Sequence, residues 1–157
     1  MRPLTLSEAY HRINNGPRAE HAVDEFLDMF YGLRTAEARC ASIIEEPPLT
    51  DDPIDNAIAA AIAEYLSNQY ELPVVPIWTY ESKRILDEPY FFGHIDAPAW
   101  IEYMVHSSPP EYRARNLFTE ERPLRRARQP AADNAMIDAK INLHADVVGR
   151  VTNNKAA

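Results

Sequence analysis

The sequence predicts an all-α protein, an irregular multi-helix bundle with a proline-rich, aromatic-rich middle segment. Three observations carry this expectation. Apolar residues recur at three- and four-residue spacing through most of the 157-residue chain, the period of helices with one face turned inward. Glycine is scarce (four residues) and proline common (thirteen), and the prolines fall where helices begin or break. The segment 74–79 is the only candidate strand, and a lone strand makes no sheet.

The elements follow in order. Ser7 is positioned to cap a short helix, Glu8 to Asn15, that Gly16 ends. Pro17 opens a second helix to about Tyr31, with Ala22, Phe26, Leu27 and Phe30 on one stripe. Thr35 caps a third, whose apolar face is Ala36, Cys40, Ile43 and Ile44, and Pro47-Pro48 stops it. Asp52 followed by Pro53 is a strong start for the fourth helix, 53–70. There Ile54, Ala57, Ile58, Ala61, Ile62, Tyr65 and Leu66 share a face, and the alanines allow close approach, so this helix is expected at the centre. Leu72 to Pro76 is extended, residues 80–86 form a short helix, and residues 87–93 form a loop. Asp96 caps a helix with Pro98 in its first turn and Ile101, Met104 and Val105 inside. Pro109-Pro110 starts a short turn of helix, Thr119 is placed to cap another, and a last helix covers about 132–148. A single domain over residues 1–150 with a frayed tail, 151–157, is the expected organisation.

Composition sets limits. A single cysteine, Cys40, forms no internal disulfide, and its apolar neighbours mark it as a small core residue. No apolar run reaches membrane-spanning length and the start has no signal-peptide core, so a cytoplasmic location is expected. The net charge of −8 argues against a general nucleic-acid coat. That charge is uneven: residues 1–100 hold 17 acids against 7 bases, whereas residues 101–157 hold 7 acids against 9 bases. The bases gather at Arg113, Arg115, Arg122, Arg125, Arg126 and Arg128. They are free to pair with the acidic loops of this chain, to bind an acidic protein, or to contact nucleic-acid phosphates.

No signature of catalysis is found. There is no glycine-rich phosphate loop, no nucleophile elbow and no cysteine pair for zinc, and no cofactor or metal is expected. Glu102 and His106 stand four apart on a predicted helix with His94 and Asp96 upstream, a weak metal pattern. Among the paired carboxylates, Asp51 and Asp52 have a capping role. Asp87 and Glu88 stand out because aromatic residues flank them. Seven of the fifteen aromatics, including Trp78, Tyr90 and Phe91, lie within residues 78–103, either as core beneath a loop or as a partner surface.

An ordered set of segments resembles a poorly characterised bacterial helical domain. The set comprises Asp24 to Tyr31, Glu45 to Pro48, Ala63 to Pro73, Pro76 to Trp78, Leu86 to Phe91, and Ser107 to Phe118. That domain is found alone or after helix-turn-helix domains, in antitoxin-like proteins of nucleotidyltransferase toxin–antitoxin pairs. The resemblance covers about residues 20–128; it implies a protein-binding role, with a nucleotidyltransferase-like toxin as the partner, and brings no catalytic residues with it.

An antitoxin-like or accessory interaction module is therefore the first functional expectation. Its binding residues are Trp78, Asp87, Glu88, Tyr90, Phe91, Arg113, Arg115, Asn116 and Phe118. The same motifs are open to a structural role, with a buried Arg–Asp or Arg–Glu pair tying them together. The alternatives are a small-ligand-binding protein or enzyme with a site near Asp87 and Arg113, and a regulator that contacts nucleic acid through Arg113 to Arg128. Oligomeric state is left open.

Overall fold

The computed structural model describes residues 4–16 and 21–155. Among them the chain forms seven α-helices, two 3-10 turns and two strands of two residues each, so the all-α expectation holds.

The first helix, α1 (Leu6–Asn15), starts two residues before the expected Glu8. Thr5, not Ser7, is the cap: its hydroxyl accepts from the Glu8 amide at 3.0 Å. The Glu8 carboxylate returns to the Leu4 amide, and this reciprocal arrangement favours Thr5 over the buried Ser7. The expected opening of the second helix at Pro17 lies outside the described residues. From Ala22 to Phe30 the chain is α2, with Ala22, Phe26, Leu27 and Phe30 buried as the periodicity requires. Thr35 caps α3 (Ala36–Ile43) through the Ala38 amide. Here the predicted face is corrected: only Ile43 is fully buried, while Cys40 is half-buried and Ile44 is half exposed. The helix leans on the core through Arg39 instead, whose guanidinium lies 4.3 Å from the Tyr70 ring centre.

The centre is α4 (Pro53–Gln69), capped by Asp52, whose carboxylate accepts from the Ile54 amide at 2.8 Å. Residues Ala59 to Ala63 are at most 1% exposed. Such burial on every side is possible because methyl side chains let neighbouring segments approach closely. The main core joins α1, α2 and α4 to Trp78, Leu86, Tyr112, Leu117 and Leu124.

Beyond α4 the expected strand at 74–79 and helix at 80–86 are replaced by 3-10 turns at Ile77–Tyr80 and Ser82–Arg84. Pro76 starts the first of these, its carbonyl accepting from both the amide and the hydroxyl of Thr79. The expected loop at 87–93 contains β1 (Tyr90–Phe91), which pairs in parallel with β2 (Leu117–Phe118). In α5 (Pro98–Ser107) the N-cap is Ala97, not Asp96. Pro98 holds the first helical position, so Asp96 stands one residue too early to cap. After α6 (Pro110–Arg113), Thr119 caps no helix; its amide donates to the Ser108 hydroxyl at 2.7 Å. The last helix, α7, runs over Ala131–Lys155, longer than the expected 132–148.

Candidate functional site

The two motifs singled out in the sequence meet in space, but backbone ties them rather than a shared ion pair. The Leu86 amide donates to Arg115 O, that of Tyr90 to Asn116 O, and that of Phe92 to Phe118 O, at 2.8–3.2 Å. The Asn116 amide group adds a bond to Leu86 O at 2.6 Å. Asn116 sits at φ +59°, a left-handed conformation that asparagine tolerates better than most residues. Above the bridge, Phe91 and Phe118 stack with ring centres 4.9 Å apart.

Arg115 anchors this assembly inward. Only 3% exposed, it donates to Glu64 of α4 at 2.5 Å, and to the carbonyls of Glu111 and Thr79 at 2.6 Å each. The buried pair expected between the motifs is thus made with α4, and Asp87 and Glu88 are left exposed without a partner among the described residues. Trp78 is also inward, its indole N–H donating to Ile44 O. Tyr90, Phe91, Asn116 and Phe118 are half-buried, and Arg113 is exposed.

Most of the arginine cluster is spent within the chain. Arg122, 8% exposed, reaches Asp138 and Asn134 of α7. Arg126 grips Asp24 at 2.9 Å and Asp28 at 3.0 Å on α2, and Arg128 lies 4.0 Å from Asp28. Of the six, Arg113 and Arg125 alone have no acidic partner among the described residues. The pairs are made with helices, not with the acidic loops.

Comparison of the chain with family models, curated proteins and solved structures returns no match.

Two features escaped the sequence. Arg84, at 0% exposure, donates to Pro47 O at 2.5 Å and to Glu46 at 3.3 Å, and lies 5.1 Å from the Trp78 ring centre. No sequence signal separates it from a surface arginine. The second is α5. Of its ten residues only Met104 is fully buried, whereas Trp100, Tyr103 and Val105 are 37–39% exposed and Ile95 just before it is 49% exposed. Trp100 and Tyr103 lie against each other, ring centres 5.1 Å apart. The signal was present as an aromatic concentration, whose exposed members are Tyr80, Trp100 and Tyr103 rather than Trp78.

Asp96 just before α5 and Glu102 within it are exposed and unpaired among the described residues, as are Asp87, Glu88, Glu120 and Glu121 elsewhere in the chain. Among the described residues no three His, Cys, Asp or Glu side chains converge to hold a metal, so His94, Asp96, Glu102 and His106 form no such group. No described helix is long and apolar enough to cross a membrane.

Proposed function

We propose that this chain is an antitoxin-like or accessory interaction module that docks a basic enzyme partner on the α5 face. The observation that carries this is the exposed, mutually packed pair Trp100 and Tyr103 on α5, with the exposed carboxylates Asp96 just before that helix and Glu102 on it. An exposed aromatic patch of this kind is what a partner's apolar anchor covers, and the carboxylates beside it steer and orient a positively charged surface. The resemblance to antitoxin-like proteins supplies the partner's class, a nucleotidyltransferase-like toxin, whose nucleotide- or nucleic-acid-binding surface is basic by chemistry. Docking of this kind covers the partner's site without any reaction on this chain. Arg113, exposed and like Arg125 without an acidic partner among the described residues, is free to add a contact of its own.

The test uses the full chain as tagged bait in its native cell, with mass spectrometry of what stays bound. One stoichiometric basic enzyme is expected, released by raised salt. Trp100→Ala should weaken the purified complex about thirtyfold, the loss typical of an interface anchor, while circular dichroism and thermal unfolding stay as in the parent. Capture of no protein, or an affinity unchanged by Trp100→Ala, overturns the proposal.

A further inference from the structure

A groove of about 210 Å³ opens between α2, α4 and the segment 119–126. Its wall is apolar, made by Leu27, Ile58, Ile62, Phe92 and Leu124. Five polar side chains also line it: Tyr112, Thr119, Arg125, Asp24 and Arg126. Tyr112 is 2% exposed and Thr119 5%, yet neither hydroxyl has a hydrogen-bond partner among the described residues. Several other buried hydroxyls of the chain are engaged. Tyr10 donates to Asp55 O, Tyr31 to Leu124 O and Thr79 to Pro76 O. The main chain of Thr119 is fully engaged, its amide by Ser108 and its carbonyl by Ser107 and Ser108, so the hydroxyl alone is left over. Both hydroxyl oxygens open onto the groove rather than being sealed from it, and an apolar wall with a few convergent donors is the usual form of a small-molecule site.

Charge decides the ligand class. Arg126 at the rim and Arg128 beside it are balanced by Asp24 and Asp28, whereas Arg125 has no acidic partner among the described residues. The groove therefore offers one unmatched positive charge beside a carboxylate, Asp24, that repels a dianion. A single negative charge suits it, and a phosphate does not. Since a cavity of about 150 Å³ holds benzene, this one accommodates roughly ten non-hydrogen atoms. Burial pushes the Tyr112 hydroxyl well above the usual tyrosine range, so it remains a donor at every ordinary pH.

We infer that this groove binds a small amphipathic monocarboxylate. The apolar tail lies against Leu27, Ile58 and Ile62, the carboxylate meets Arg125, and the hydroxyls of Thr119 and Tyr112 supply the remaining donors. The site is independent of the α5 face, so neither proposal falls with the other.

Octanoate is the probe, titrated into the isotope-labelled full chain and followed by amide chemical shifts, with octanamide as the uncharged counterpart. Saturable shifts are expected at Leu27, Thr119 and Arg125. Octanamide and the variant Arg125→Ala should each weaken binding about tenfold or more, the scale of one charge-assisted hydrogen bond. Ile58→Trp, filling the groove in a chain whose spectrum remains folded, should abolish it. The inference is overturned by an absence of saturable shifts up to about 10 mM, beyond the weak end of specific binding. It is equally overturned if octanamide binds as well as octanoate, or if Arg125→Ala leaves the affinity unchanged.

Discussion

Replacing Arg115 with alanine removes the anchor between the 111–118 segment and α4. Three acceptors lose their donor at once: the Glu64 carboxylate and the carbonyls of Glu111 and Thr79. A charge-assisted bond contributes about 1.5–3 kcal/mol and each carbonyl bond about 1 kcal/mol. Glu64 is 16% exposed and takes up water once freed, which lowers the first figure. A loss of roughly 3–4 kcal/mol is therefore expected, in the range for breaking a buried ion pair from one side. In a domain of this size that corresponds to a fall in Tm of roughly 10 °C. Equilibrium unfolding in urea, followed by far-ultraviolet circular dichroism, measures it directly. Glu64→Gln, which keeps an acceptor in place, should cost about 1 kcal/mol. A loss below about 1 kcal/mol for Arg115→Ala, on the scale of a solvated surface pair, would refute an interior role for this arginine.

Two further predictions concern the bridge and the tyrosines. Asn116→Ala loses the bond to Leu86 O and must hold φ +59° with a less tolerant residue, so about 2 kcal/mol is expected; Asn116→Gly relieves the backbone and should recover about half, as paired denaturant melts would show. Burial pushes the Tyr65 and Tyr70 hydroxyls up to about 12, above the ordinary value of 10.0. Each then stabilises the fold in full below pH 10.0 and loses that contribution as pH rises through about 12. Tyrosinate absorbance and helical signal should accordingly change together in an alkaline titration, and ionisation of all tyrosines near pH 10.0 in the folded chain would contradict their burial.

Local chemistry made much of the fold legible. Asp52 before Pro53, Thr35 before an alanine run and the stripe Ala22-Phe26-Leu27-Phe30 are signals contained within a turn or two of chain, and each element forms where they point. The two-residue strands left no such trace, since so short a segment has no period. Partner choice was equally hidden. Arg126 and Asp28 are 98 residues apart and Arg84 reaches a carbonyl 37 residues away, so nothing local marks either arginine as engaged. Composition drew attention to the aromatic stretch 78–103 but did not separate its buried from its exposed members. Trp78 and Arg115 belong to the interior, whereas Tyr80 and, on a helix whose sequence looked like ordinary core packing, Trp100 and Tyr103 are exposed.

The short parallel bridge has an architectural consequence. Phe92 is held by Phe118 O and Ser108 by Thr119 O, so the chain leaves the body and returns to it at adjacent residues. Residues 93–107, with α5 among them, therefore form an excursion whose two ends are pinned together, while the core spanning α1, α2 and α4 closes beneath it. A segment attached in this way behaves as an exchangeable cassette: its length and surface are free to vary with little effect on the body that carries it.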